Sequence, residues 1–184
     1  MILSDRDILA EIERGRIVID PFVREHLGPC SVDLTLSDEF AVFESREIID
    51  PESNRGKVHL RTVRTEGEKF RIRAGEFVLA STVGRIAVSK EFAATLEGLS
   101  SLARVGIVVH AAGLVNPGTG LRQPVPLVLE ISNRGNSDVL LTPGMRIVQI
   151  MFHRLSSPAT VGYDERSSSR FVGQRGPVLW EGRK

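Results

Sequence analysis

The 184-residue chain has the composition of an ordinary globular protein, with 41% hydrophobic and 26% charged residues, and its length suits one domain, 1–184. A net charge of +1 provides no bulk basic surface of the kind that binds nucleic acid or an anionic membrane. One cysteine excludes an internal disulfide and is typical of a reducing compartment. Apolar runs stay well short of the ~20 residues of a membrane helix, and the acidic N-terminus is unlike a signal peptide. These features predict a soluble, cytoplasmic protein that binds neither nucleic acid nor membranes.

The chain opens with one predicted helix, over residues 4–14. Ser4 and Asp7 have the spacing of a capping box, and apolar residues follow at helical intervals until Gly15. Residues 17–19 are then predicted to form a short strand.

The remainder has the pattern of many short strands separated by turn residues. The predicted strands cover residues 31–36, 39–43, 57–63, 69–72, 77–82, 84–88, 94–98, 106–110, 126–132, 139–141 and 147–155. This spacing favours a mostly β fold, a sandwich, jelly roll or compact barrel, over alternating β and α units. A second short helix is predicted over residues 101–104. Residues 164–184 are predicted to be a mobile C-terminal arm, opened by a polar, serine-rich loop.

A glutamate inside an apolar strand is the clearest local indication of function. Strand alternation places Glu130 and Val128 on one face, opposite the apolar residues of the same run. Burying an unpaired charge costs several kcal/mol, so this carboxylate must be paired, protonated or used in chemistry. An ion pair with Arg104 and a catalytic role both remain open from the residues alone.

Several motifs occur in a fixed order: MILSDRDI, GPCSVDLTL, EGLSSLARVGIVVH, LVLEISN, PGMRIVQI, RLSSPA and GQRGPV. In this order and spacing they resemble the dCTP deaminase family of the dUTPase-like superfamily, over nearly the whole chain. The resemblance implies a distorted jelly-roll subunit with a short N-terminal helix, forming a homotrimer with active sites at subunit boundaries. It implies hydrolytic deamination of dCTP to dUTP in nucleotide metabolism, which in some members continues to dUMP and pyrophosphate.

The resemblance also implies which residues form the site. Glu130 falls on the catalytic glutamate, which takes a proton from the water attacking C4 of cytosine and returns it. Ser100 and Arg104 fall on a water-positioning serine and an active-site arginine, and their i, i+4 spacing places both on one helical face. The implied substrate-binding positions are Ser101, Leu102, Ala103, Asn116, Val128, Gln149, Tyr163, Arg170 and Gln174.

Magnesium is expected on the nucleotide triphosphate, and no metal is expected at the cytosine. Zinc deaminases use a H-x-E…P-C-x-x-C arrangement, which a chain with Cys30 as its one cysteine does not supply. The four histidines also form no cluster at the ligand spacing of a zinc site.

The chain departs from the family pattern around the expected pocket. Leu99 stands where an arginine is usual, and Asn116 stands where an aspartate would accept from the sugar 3′-hydroxyl. The segment between residues 118 and 130 is about four residues longer than the pattern, and its Pro124 and Pro126 lack backbone donors, which requires an edge or a bulge.

These departures leave other functions open, including a shifted substrate. A dUTP pyrophosphatase is disfavoured because residues 116–120 lack the Asp and Tyr of that family's uracil-binding hairpin. A non-catalytic nucleotide-binding protein of the same fold is disfavoured by the retention of Ser100, Arg104, Glu130 and Gln149. The one-step product dUTP and the two-step product dUMP both remain open.

Overall fold

The structure is a computed structural model that describes residues 1–44, 48–50, 52, 58–110 and 112–177. Lys57 of one predicted strand, Ala111 and the tail 178–184 therefore lie outside the described residues. The described residues form two short α-helices, one 3₁₀ turn (Arg24–His26) and eleven strands. The helices and strands are α1 (Asp5–Glu13), β1 (Ile17–Asp20), β2 (Val32–Phe43), β3 (Leu60–Arg64), β4 (Phe70–Ile72), β5 (Phe77–Val88), β6 (Phe92–Gly98), α2 (Ser100–Ala103), β7 (Ile107–His110), β8 (Leu114–Val115), β9 (Val125–Asn133), β10 (Val139–Leu141) and β11 (Arg146–Arg154).

Most of the strands belong to one curled antiparallel sheet in the order β7-β9-β5-β2-β11-β6-β8, with β1 also paired to β5 and β3 to β2. The pair β10-β4 forms a second, small sheet. β6 lies against β7 although the two are far apart in the sheet order, so the large sheet curls towards a barrel. Its interior is one apolar core, which includes the fully buried side chains of Phe40, Phe92 and Phe152. No helix in the described part of the chain is long and apolar enough to cross a membrane.

The predicted N-terminal helix is confirmed. Ser4 is the N-cap, and its hydroxyl both accepts from the Asp7 N–H and donates to the Asp7 carboxylate at 2.9 Å. Ile8 is fully buried against the core, and Gly15 follows the helix with a φ of +68°, which glycine adopts without strain.

A buried carboxylate fastens α1 to the sheet. The Glu11 side chain is 2% exposed and accepts hydrogen bonds from Arg14 at 3.0 Å, from Arg154 of β11 at 2.8 Å, and from Arg16. The guanidiniums of Arg16 and Arg154 also lie over the Phe92 ring, at 5.9 and 4.7 Å from its centroid. Burial raises the pKa of Glu11, but the hydrogen bonds from Arg16 and Arg154 outweigh it and hold the pKa below its ordinary value.

The two longest strands differ from their predicted form. The sequence pattern predicts β2 as residues 31–36 and 39–43, and β5 as residues 77–82 and 84–88, whereas each is one continuous strand. The pairing register shifts within both strands, so bulges interrupt the alternation of side chains without ending the strand. The two-residue strand β8 and the 3₁₀ turn are not predicted, because each is too short to produce a periodic pattern.

The alternation predicted for β9 is confirmed. Leu127, Leu129 and Ile131 are buried, and Val128 and Glu130 are only partly buried. Pro126 lies opposite Arg85 beyond a register shift in β5, so it sits at a bulge. Within the described residues β7 pairs with positions 130–133 only, which leaves 125–129 as an edge on that side, as the prolines require.

Candidate active site

A cavity of about 480 Å³ lies along the unpaired edge of β9, between the turn after β8 and the C-terminal segment. It is lined mainly by apolar side chains, with one carboxylate and a few polar groups. Its lining residues are Phe77, Leu79, Leu96, Ala112, Leu114, Val115, Asn116, Thr119, Val125, Leu127, Val128, Glu130, Tyr163, Phe171 and Gln174. A mostly apolar cleft with a few convergent polar groups is typical of a small-molecule site.

Glu130 supplies the carboxylate of this cavity. Its Oε2 accepts a hydrogen bond from the backbone N–H of Ala112 at 3.1 Å. Ala112 has a φ of +27°, an uncommon backbone conformation for a residue other than glycine. The N–H stabilises the charged carboxylate, and Leu79, opposite Glu130 on β5, lines the same cavity. A carboxylate in this setting can take a proton from a bound water.

One wall of the cavity is the turn that carries Asn116 and Thr119. The Thr119 N–H donates to the Asn116 carbonyl at 3.1 Å, and the Gly118 N–H donates to Val88 of β5 at 3.0 Å. Gly120 has a φ of +74°, and a Cβ there would lie 2.3 Å from the Ile86 carbonyl oxygen. The turn therefore packs backbone against backbone on β5, with Asn116 directed to the cavity.

The opposite wall is the C-terminal segment. The Tyr163 hydroxyl accepts from the Phe171 N–H at 3.2 Å, and the Gln174 Nε2 donates to the Pro126 carbonyl of β9 at 2.9 Å. Tyr163, Phe171 and Gln174 all line the cavity. The start of the predicted arm is thus folded over the cavity.

The polar loop at the start of this arm is bonded to the body of the protein. Asp164 and Ser169 are buried. Glu165 accepts from the Gly162 N–H at 2.7 Å and pairs with Lys90 at 3.2 Å. The Gly162 N–H and the Lys90 ammonium hold the pKa of Glu165 below its usual range. The mobility of the arm remains a prediction.

The remaining predicted residues lie outside the lining of this cavity. In α2 the Arg104 N–H donates to the Ser100 carbonyl at 3.1 Å, so both residues lie on one face as predicted, and both are exposed. Ser101, Leu102 and Ala103 belong to the same turn.

Gln149, on β11, lies opposite Glu97 at the end of β6 from which α2 continues, and its amide oxygen accepts from Ser31 at 3.0 Å. Arg170 is exposed next to the cavity residue Phe171. The predicted residues therefore form two groups. Those around the cavity are Val128, Glu130, Asn116, Tyr163 and Gln174. The other group consists of residues 100–104 and Gln149, and Arg170 lies outside both groups.

Several cavity residues are not predicted from the sequence. The Ala112 N–H produces no side-chain pattern, and Leu96 and Phe77 look like ordinary strand residues. Phe171 does carry a signal, because it is an aromatic residue directly after the polar run 164–170. Across the described ranges, no group of three or more His, Cys, Asp or Glu side chains has an arrangement that could hold a metal ion.

The chain matches known proteins along nearly its whole length. A family model described as dCTP deaminase-like matches residues 2–155. A Streptomyces avermitilis protein named dCTP deaminase, dUMP-forming, is 44% identical over 183 residues, covering 97% of this chain and 93% of its own. A Dictyoglomus thermophilum protein of the same name is 42% identical over 184 residues, with the same coverage.

A solved structure resembles the fold at low sequence identity. The crystal structure of 2′-deoxycytidine 5′-triphosphate deaminase from Agrobacterium tumefaciens matches with a TM-score of 0.64 and 21% identity. The match covers 82% of this chain and 46% of that one, so this chain spans about half its length. The likeness confirms the predicted mostly β fold with a short N-terminal helix. The match to the family model and the relatives at 42% and 44% identity show that the chain belongs to the dCTP deaminase-like family.

Proposed function

We propose that this chain hydrolyses dCTP to dUTP and ammonia and then converts dUTP to dUMP and pyrophosphate. The observation that carries the proposal is Glu130, a carboxylate with a backbone donor at 3.1 Å in an otherwise largely apolar cavity of about 480 Å³. Membership of the dCTP deaminase-like family supports the first reaction. The relatives named dUMP-forming support the second.

In the first reaction, water adds to C4 of the cytosine ring and the C4–N4 bond breaks. Glu130 takes a proton from the attacking water and passes it to N3 of the ring, and then carries the proton of the new C4 hydroxyl to the departing amine, so that ammonia leaves and uracil remains. Ser100 orients the water, and Arg104 stabilises the charged carboxylate and the developing negative charge. No zinc is needed for this route.

In the second reaction, a second water attacks the α-phosphorus and loses a proton to solvent. The bond from the α-phosphorus to the oxygen that bridges it to the β-phosphorus breaks, and pyrophosphate leaves. The substrate is taken as its magnesium complex, in which the ion offsets part of the phosphate charge. The phosphate oxygens are bound by Arg170 and by the backbone N–H groups near Ser101. The sugar is bound by Asn116, Tyr163 and Gln174. The nucleotide also contacts the backbone and the apolar side chains of Leu102, Ala103 and Val128.

We further propose that the active enzyme is a homotrimer in which two subunits build each site. The cavity residues of one subunit receive residues 100–104 and Gln149 from a neighbour, since Ser100 and Arg104 are exposed and share one face. In a closed ring every subunit makes the same heterologous contact with the next one. Each subunit therefore supplies one cavity and donates its own turn to the cavity of a neighbour.

Mixing two inactive variants tests the shared site. Glu130→Gln and Arg104→Ala are each expected to be inactive, whereas subunits exchanged between them form some sites with both original residues. Random mixing in a trimer restores about a quarter of the original activity. If each site lies within one subunit, mixing restores none, and sedimentation of a single-chain species also contradicts the trimer.

A product assay tests the reaction itself. The purified protein is incubated with magnesium and dCTP, CTP, dCMP or dUTP, and dUTP, dUMP, ammonia and pyrophosphate are resolved. We expect dCTP to give ammonia, dUMP and pyrophosphate. Release of dUTP alone would limit the chain to deamination, and turnover of dUTP without dCTP would favour a dUTP pyrophosphatase. Binding of nucleotide without turnover would indicate a non-catalytic member of the fold.

Glu130→Gln tests the role of the carboxylate. Glutamine keeps the shape and one acceptor for the Ala112 N–H but cannot take up the proton, so kcat is expected to fall at least ~100-fold. Glu68→Gln, at an exposed turn, is the matched control and keeps full activity. If Glu130→Gln retains activity, the role assigned to Glu130 is wrong.

A further inference from the structure

Asp164 is a buried carboxylate beside the cavity that has no part in the proposed chemistry. It is 5% exposed and directly follows the cavity residue Tyr163. One carboxylate oxygen accepts from the Gly120 N–H at 3.3 Å, and the other accepts from the Arg122 N–H at 3.0 Å. Both oxygens therefore bond the backbone of the loop 116–123.

Backbone contacts reinforce this attachment. The Tyr163 N–H donates to the Pro117 carbonyl at 2.8 Å, and the Asp164 N–H donates to the Gly118 carbonyl at 3.2 Å. A Cβ on Gly118 would lie 2.5 Å from the Gly162 Cα, so the two segments touch without a side chain between them. The loop 116–123 and the start of the C-terminal segment thus form one joint.

This joint connects the two walls of the cavity. The loop carries Asn116 into the cavity, and the C-terminal segment carries Tyr163 into it. The Asp164 bonds fall on Gly120 and Arg122, between Asn116 and the start of β9. At Gly120 and Arg122 the attachment is made by one carboxylate, which extends the backbone contacts at Pro117 and Gly118.

We propose that Asp164 is a positioning residue of the active site. By bonding Gly120 and Arg122 it fixes the loop 116–123 against the C-terminal segment, so that Asn116 and Tyr163 meet the deoxyribose together. The proposal rests on the proposed function, because it takes the bound molecule to be a deoxynucleotide. A neutral amide at position 116 can bond the 3′-hydroxyl, and that bond forms only if the amide is held at hydrogen-bonding distance and angle.

The test uses Asp164→Asn in the full chain. Asparagine keeps one acceptor oxygen but turns an NH₂ group towards the second N–H, so one of the two bonds is lost. The measured quantity is kcat/KM for dCTP divided by kcat/KM for 2′,3′-dideoxy-CTP, which lacks the 3′-hydroxyl. In the wild type we expect this ratio to be roughly five, because one neutral hydrogen bond changes a rate or binding constant by about that factor. In Asp164→Asn we expect a ratio near one.

The ratio separates positioning from stability, because loss of folded protein lowers both rates alike. Gly118→Ala is a second variant, since its methyl would lie 2.5 Å from the Gly162 Cα and force the same joint apart without changing any charge. It is expected to lower the ratio as well. Asp138→Asn is the matched control, because Asp138 also accepts a backbone N–H, from Ala74 at 3.0 Å, but does not line the cavity.

The affinities of both nucleotides for the wild type and for Asp164→Asn are measured by calorimetry in parallel. If the wild type binds dCTP but does not turn it over, the proposed reaction fails, and the ratio of affinities still decides the role of Asp164. An unchanged ratio in Asp164→Asn overturns the proposal, whatever happens to its melting temperature. A wild type that binds neither nucleotide overturns both.

Discussion

Replacing Glu11 by glutamine should destabilise the fold by about 2–3 kcal/mol. The Glu11 carboxylate is 2% exposed and accepts hydrogen bonds from three arginines, Arg14, Arg16 and Arg154. Removing one partner of a buried ion pair costs roughly 3–5 kcal/mol. The arginines remain 60%, 30% and 41% exposed, so water compensates part of this loss. Glutamine also keeps one acceptor oxygen.

Thermal and denaturant unfolding measure this change. For a domain of this size, 2–3 kcal/mol corresponds to a fall in Tm of about 5–10 °C. Glu13→Gln, on the exposed side of the same helix, is the control and should stay within ~0.5 kcal/mol of the wild type. A Glu11→Gln variant as stable as this control would refute the energetic role of the network.

The pH dependence gives an independent check. Because the pKa of Glu11 is lower in the folded state than its ordinary value of 4.5, its stabilising contribution is present above that value and is lost as the pH falls through the folded-state pKa. The stability difference between wild type and Glu11→Gln should therefore be full at neutral pH and shrink below 4.5. A difference that persists unchanged in strong acid would contradict the assignment.

Three further substitutions test other parts of the structure. Gly120→Ala would place a methyl 2.3 Å from a backbone carbonyl oxygen, at a φ of +74°. The free energy of unfolding, measured with denaturant, should fall by at least ~2 kcal/mol. An unchanged unfolding midpoint would argue against the packed turn. Asn133→Ala removes a fully buried amide that bonds the carbonyls of Ile72 and Ser137 and the Gly135 N–H; the expected loss of about 3 kcal/mol is measured in the same way. Gln174→Ala removes the bond to the Pro126 carbonyl and a polar cavity group, so KM for dCTP should rise roughly fivefold with kcat nearly unchanged; a fall in kcat alone would count against a binding role.

Strand periodicity is enough to predict the setting of Glu130. Side chains of a strand alternate between two faces, so a glutamate in an apolar run lies on a definable face, and β9 has the expected burial pattern. The helix after Ser4 is equally predictable, because its cap and apolar spacing are local features. The continuity of β2 and β5 is not predictable from the sequence. A bulge interrupts the alternation of side chains in the same way as the end of a strand does.

The contacts of the site depend on non-local backbone geometry. The Ala112 N–H reaches Glu130 because a turn brings together residues far apart in sequence, and every residue type presents the same N–H. Asp164 belongs to a polar segment predicted to be a mobile loop, yet it is buried, because its partners are backbone N–H groups of another loop. Polar composition alone does not distinguish a solvated carboxylate from one that bonds backbone donors.

The central position of β11 has a consequence for the order in which the protein folds. This strand is close to the C-terminus, yet it pairs with β2 on one side and β6 on the other, and the Leu3 N–H donates to the Phe152 carbonyl. Until β11 has been synthesised, β2 and β6 each present an unpaired edge that could join another chain. Contacts across such long sequence separations also slow folding, because the entropy of closing long loops opposes their formation. Nascent or truncated chains that end before β11 are therefore expected to aggregate more readily than the full chain.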